Sequence, residues 1–85
     1  MSYAILWKGS ARRQILQLDR LTQKCIYHEI YKLGETPRPA GCLKMGGTRD
    51  VWRIVIGSYR VLYAIMDDKL VILVLKVGHR REVYR

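Results

Sequence analysis

The sequence predicts an α+β fold of order β-α-α-β-β-β, a helical hairpin packed on a small antiparallel sheet. Two patterns carry this reading. Apolar residues recur at helical spacing through Ala11, Ile15 and Leu18, and again through Ile26, Ile30 and Leu33. Further on, three runs rich in β-branched and aromatic residues, Val51–Ile56, Tyr59–Met66 and Leu70–Val77, are separated by the short breaks Gly57-Ser58 and Asp67-Asp68-Lys69, the pattern of an antiparallel meander. A chain of 85 residues has surface for one core, so residues 1–85 are expected to form one domain with any site on the outside of that core.

Element by element, Tyr3–Trp7 is short, aromatic and β-branched enough for a first strand, and Gly9-Ser10 breaks it. Ser10 is placed to cap a first helix that starts at Ala11 and ends near Asp19 or Arg20. Thr22 is placed to cap the second helix, and Gly34 to terminate it. Between Glu35 and Gly47 stand Pro37, Pro39, Gly41, Gly46 and Gly47, which predict an irregular loop with Arg38 and Lys44 as its basic members.

The hairpin turn sets the register of the sheet. A two-residue Gly57-Ser58 turn puts Ile56 opposite Tyr59 and Val55 opposite Arg60, so Arg53, Val55, Arg60 and Leu62 share one side. The other side carries Trp52, Ile54, Ile56, Tyr59, Val61, Tyr63 and Ile65, the larger apolar set and the expected seat of the helices. The arginine side is then at least partly open to a ligand, although simple alternation also sends Leu73, Leu75 and Val77 there. The tail Gly78–Arg85 is expected to leave the last strand at Gly78.

Charge narrows the partners. Sixteen Lys and Arg against seven Asp and Glu leave a net +9, a positive field over much of so small a body, which points to nucleic acid or an acidic protein. The plainer use of such charge is solubility. Cys25 and Cys42 lack close spacing, and MSYAILWKGS has too short an apolar run for a signal peptide, so a reduced, cytoplasmic protein is expected. No run approaches the length needed to span a bilayer, and no basic amphipathic helix suggests a membrane surface.

RNA cleavage requires a group to take the 2′-hydroxyl proton, cations for the charge growing on phosphorus, and help for the leaving 5′-oxygen. RNA brings its own nucleophile, so no metal or other cofactor is expected. Guanidinium groups suit the second task because their paired donors match phosphate oxygens and stay charged. Arg53, Arg60, Arg80 and Arg81 supply them. For proton transfer the tail offers the imidazole of His79, and Tyr84 is placed to stack on a base, to bond a phosphate or, should arginines depress its pKa, to exchange a proton. Taken singly, strand arginines are commonly solvated and a lone histidine commonly idle. Their coincidence at one strand end lifts the functional reading. Zinc-ligand spacing, a phosphate-binding GxxxxGK frame and a Ser-His-acid set are all absent from the sequence.

These residues resemble a known family. PRPAGCLKMGG followed by WRIVIGSYRVLYAIMDDKLVILVLKVGHRREVYR is similar to the RelE branch of the RelE/ParE toxin superfamily, and the order of the earlier elements agrees. The specificity lies in the L-K-x-G-G loop, the W-R-I-x-x-G-x-Y-R-V-x-Y hairpin and the V-G-H-R-x-x-V-Y tail. The resemblance implies a RelE-like microbial ribonuclease fold and a type II toxin that enters the ribosomal A site and cuts the exposed codon. It implies a cognate antitoxin, ribosomal RNA and messenger RNA as partners, and operator DNA reached through the antitoxin complex. The family's strand arginine falls on Arg60, its basic tail position on Arg80 and its terminal aromatic on Tyr84. Arg53 is implied as a phosphate contact and Lys44 as a contact to ribosomal RNA or message, with Arg81 and Arg85 as further cations of the tail. His79 falls where relatives carry lysine or histidine, as base or as another cation.

One departure bears on activity: where many active relatives have a second basic residue, Val55 stands beside Arg60. Loss of one donor from a charge-stabilising site typically costs on the order of 10²-fold. Two other readings therefore stay open, a ParE-like inhibitor of DNA gyrase and a catalytically decayed toxin that acts through its antitoxin.

Overall fold

The computed structural model describes residues 2–47 and 50–79. Strand β1 (Ala4–Trp7) leads straight into helix α1 (Gly9–Leu16), and α2 (Arg20–Lys32) completes the hairpin. A two-residue β2 (Leu43–Lys44), then β3 (Val51–Ile56), β4 (Tyr59–Met66) and β5 (Val71–His79) build the sheet. The strand order is β1-β5-β4-β3-β2, with β1 parallel to β5 and the other pairs antiparallel. The predicted α+β order is thus present, with β2 added inside the segment expected to be irregular.

Local chemistry moves some boundaries. Helix α1 begins at Gly9, ahead of the expected Ser10 cap, because the Lys8 amide is held by the Val74 carbonyl (2.9 Å) while the Lys8 carbonyl accepts the first helical bond from Arg12 (3.0 Å). It stops at Leu16 because Asp19 is extended, as an N-cap must be. Asp19, not Thr22, caps α2: its carboxylate accepts from the Thr22 amide (3.2 Å) and hydroxyl (2.5 Å). These hydrogen bonds hold the Asp19 carboxyl below its usual pKa, the Thr22 hydroxyl first. At the other end of α2, a Cβ on Gly34 would lie 3.1 Å from the Tyr3 carbonyl oxygen and 3.2 Å from that of Tyr31. The glycine is what lets the chain at Tyr3, just before β1, pass that close.

Both helices lie on one face of the sheet. Ala11, Ile15, Ile26, Ile30 and Leu33 bury against Ile54, Val61, Tyr63, Ile65, Ile72, Val74 and Val77. Each large side chain removed from water contributes about 1.5–3 kcal/mol before entropic costs. Among the described residues the opposite face bears no helix, and on it Leu6, Leu43 and Val55 remain 53%, 53% and 48% exposed.

One strand departs from simple alternation. Tyr63 pairs with Val74 but Leu62 pairs with Lys76, so Leu75 is an extra residue on β5, a bulge. The bulge reverses the parity of everything after it. Val77, expected on the arginine side, is buried in the core, and Lys76 is carried to the open face. Strand β5 also does not leave the sheet at Gly78: it continues through Gly78, opposite Arg60, to His79, opposite Tyr59. Beyond Trp7, which pairs with Val74, there is no β1 to serve the Val77 amide. The Gln14 side chain of α1 accepts from it instead, at 2.9 Å.

A polar latch closes the far end of the sheet. Arg38 donates to Asp50 (2.6 Å) and to Asp67 (2.9 Å), and lies 5.4 Å from the Trp52 ring centroid. Tyr3 donates its hydroxyl to Asp67 (2.6 Å), and Trp52 donates its indole N–H to Asp50. The Asp67 carboxyl is held below the usual range, by Arg38 first and Tyr3 second, while the Tyr3 phenol is raised by the same hydrogen bond. Nearby, the buried Tyr63 hydroxyl donates to the Pro37 carbonyl (2.8 Å), and burial pushes its pKa up. Arg38, read as a loop cation, is thus engaged in holding the loop.

Candidate nucleic-acid interface

The hairpin of β3 and β4 forms in the expected register, with Ile56 opposite Tyr59, Val55 opposite Arg60 and Arg53 opposite Leu62. Gly57 makes the turn possible at φ +60°, a conformation costly for residues with a Cβ. Directly paired residues point to the same face, so Arg53 and Arg60 are diagonal neighbours on the face without helices. Both residues are half-buried, and the Nε atom of each is shielded from solvent. Their stems therefore lie along the sheet.

Strand β5 adds two features. Gly78 sits across from Arg60, bringing the start of the basic tail beside it. Lys76 sits across from Leu62, so it shares the face of Arg53 and Arg60. Lys76 was missed by the sequence reading. Unbroken alternation from the buried Ile72 and Val74 would have pointed it under the helices, where an ammonium group is costly. That conflict was the available signal for a bulge.

Two expected site residues lie elsewhere. His79 pairs with Tyr59, and by the alternation of β5 it falls on the helix-bearing side; its ring meets the Tyr59 ring edge-on at 5.8 Å. It is adjacent to Arg60 along the sheet end but on the other face. Lys44 pairs with Trp52 and is exposed, one residue out of phase with the arginine face. Arg80, Arg81, Tyr84 and Arg85 lie outside the described residues. A separate cleft of about 550 Å³ lies between the end of α2, the loop near Pro39 and β3, and it includes none of Arg53, Arg60 or Lys76.

Among the described residues no group of His, Cys, Asp and Glu is arranged to hold a metal ion, and no helix is long and apolar enough to cross a membrane.

A helical hairpin on one face of a small sheet, with a basic hairpin turned to the other, is the frame of a known class of small toxin. Residues 5–84 match the family described as ParE toxin of type II toxin-antitoxin system, parDE, and the chain belongs to that family. Within the RelE/ParE superfamily it is a RelE-like toxin. It is 29% identical over 89 residues to Toxin RelG of Mycobacterium tuberculosis, covering 100% of this chain and 99% of that one. To the mRNA interferase toxin RelE of Escherichia coli it is 28% identical over 88 residues, covering 99% and 92%. The toxin fold in the crystal structure of the intact E. coli RelBE toxin-antitoxin complex superposes with a TM-score of 0.80 at 26% identity, over 92% of this chain and 96% of that one.

Proposed function

We propose that the chain, as one toxin domain, is a metal-independent endoribonuclease that cuts messenger RNA at the ribosomal A site and is silenced in the cytoplasm by a cognate antitoxin. The observation that supports this best is the diagonal placement of Arg53 and Arg60 on the sheet face away from the helices, with β5 running beside Arg60. The relatives named as mRNA interferases supply the substrate class. The antitoxin is carried over from the RelBE toxin-antitoxin complex of the E. coli neighbour, and operator DNA reached through such a complex belongs to the same proposal.

In the mechanism, a base takes the proton of the 2′-hydroxyl and the 2′-oxygen bonds to phosphorus. The bond from phosphorus to the 5′-oxygen breaks, and that oxygen takes up a proton. The products are a 2′,3′-cyclic phosphate and a 5′-hydroxyl. Arg60 and Arg80 hold the non-bridging oxygens and Arg53 the neighbouring backbone, with Arg81, Arg85 and Lys44 as outlying contacts to message or ribosomal RNA. With His79 on the Tyr59 side of the strand, stacking and proton transfer are assigned to Tyr84, and His79 is a contact at the strand end.

The test is cleavage of a defined message on programmed ribosomes. Arg60→Ala with Arg80→Ala should lower product by about 10²-fold or more, since each removes a charge-stabilising donor. Product equal to wild type would rule out their role. The family match itself favours a second reading, inhibition of DNA gyrase as in the ParE branch; supercoiling by purified gyrase in the presence of the chain separates the two. A decayed toxin, the reading Val55 keeps open, would leave growth unaffected when the isolated gene is induced.

A further inference from the structure

We propose that Lys76 is a third phosphate-binding residue of the open face, forming with Arg53 and Arg60 a cationic triangle around Leu62 that grips the backbone of single-stranded RNA. The choice of RNA rests on the function proposed above; the triangle rests on register alone. Leu62 is paired on one side with Arg53 and on the other with Lys76. Arg53 and Lys76 therefore stand two strands apart, about 10 Å between backbones. Arg60, two residues before Leu62 on β4, is diagonal to both, about 7–8 Å away. All three side chains are long enough to lay their stems toward the half-buried Leu62 and lift their charged heads above it.

The bulge at Leu75 is what makes this arrangement. Without it Lys76 would share the side of the buried Val74. With it, the apolar Val77 enters the core and the cation emerges beside Arg60. The new phase is fastened by Gln14, which accepts from the Val77 amide. Among the described residues the ion pairs join Lys32 to Glu29 and Arg38 to Asp50 and Asp67, and none takes up Lys76.

The test uses the full chain and a fluorescein-labelled, 2′-O-methylated RNA hexamer, which the proposed reaction does not cut. Binding is measured by anisotropy across a salt series. For a single strand, each phosphate that is no longer neutralised by the protein lowers the slope of log K against log salt by about 0.7. Lys76→Gln should lower it by that amount and Lys76→Arg should preserve it. Lys69→Gln, an equal charge change in the turn after β4, should leave the slope intact. As a readout on the unmutated protein, saturating RNA should protect Lys76 from lysine acylation at least several-fold more than Lys69. The idea is overturned by equal slopes for Lys76→Gln and Lys69→Gln, by equal acylation with and without RNA, or by a wild-type chain that does not bind the hexamer. Because nothing is cut, the outcome separates from that of the ribosome assay. RNA gripped through Lys76 with no message cleaved would sink the nuclease and spare the triangle, and Arg60-dependent cleavage with an indifferent Lys76 would do the reverse.

Discussion

Gln14 is a residue of α1 whose most informative partner is in the sheet. Its side-chain oxygen is the acceptor for the Val77 amide at 2.9 Å, at the place where β1 has ended and the bulge has just rephased β5. Gln14→Leu keeps a similar volume and removes the acceptor. An amide left without a partner in a partly buried setting costs about 1–3 kcal/mol. In a domain of this size each kcal/mol lowers Tm by about 4–8 °C, so the expected fall is roughly 4–24 °C. Gln14→Glu retains an oxygen acceptor within a strongly positive chain, and should recover most of the loss.

Thermal denaturation measures the fall, and amide hydrogen exchange locates it. Val77 should lose protection in Gln14→Leu while the β3–β4 hairpin keeps its own. The reasoning fails if Gln14→Leu melts within about a degree of wild type and Val77 still exchanges slowly. It fails differently if stability falls and protection is lost uniformly, because the side chain would then be supporting general packing and not the strand after the bulge.

Other perturbations separate the remaining parts. Tyr63→Phe deletes the hydroxyl bonded to the Pro37 carbonyl, at a cost of about 0.5–1.5 kcal/mol; limited proteolysis should then cut first within the loop around Pro37–Gly41. Gly57→Ala places a Cβ at φ +60° and should cost about 1–2 kcal/mol in chemical denaturation. Asp67 and Asp19 have depressed carboxyl pKa values, so their stabilisation is complete above the unfolded value near 4 and is lost as pH falls through the lower folded value. Tm should therefore drop on acidification below about pH 4, and Asp67→Asn should flatten part of that drop in a pH series of melts. Val55→Lys, opposite Arg60, should raise cleavage on ribosomes by on the order of 10²-fold if the site is short of a cation, and an inactive chain that stays inactive would point to decay beyond that position.

The most legible parts of the fold were those written in local chemistry. The Gly57-Ser58 turn alone aligned Val55 with Arg60 and Arg53 with Leu62, and the structure has both pairs. The apolar spacing of Ile26, Ile30 and Leu33 marked the buried stripe of α2, and all three are buried. What escaped depends on pairings distant in sequence. Strand β2 exists because Leu43 and Lys44 find Arg53 and Trp52 across a long loop, and no periodicity of two residues announces it. Asp19 supplanted Thr22 as a cap because a carboxylate accepts from both the amide and the hydroxyl of the threonine.

The bulge shows where a sequence carries its own correction. Alternation along Ile72, Val74, Lys76 and Gly78 sets a lysine into a core that otherwise contains no buried charged residue among those described. Burying that ammonium would cost several kcal/mol even after relaxation, whereas one extra residue costs a single disrupted step of the ladder. The smaller cost wins, and its consequence reaches the site: the same shift that exposes Lys76 puts Gly78 opposite Arg60 and turns His79 to the side of Tyr59. Had the parity been unbroken, His79 would stand on the arginine face and Lys76 beneath the helices. Deleting Leu75 tests this reasoning, because plain alternation in the shortened strand sends Lys76 outward and Val77 inward with no bulge at all. The deletion variant should give up only the half-buried leucine, about 1–2 kcal/mol in chemical denaturation, and keep the salt slope of RNA binding. Loss of cooperative folding, or of the slope, would show that the fold requires the bulge itself and that the charge of Lys76 did not set the register.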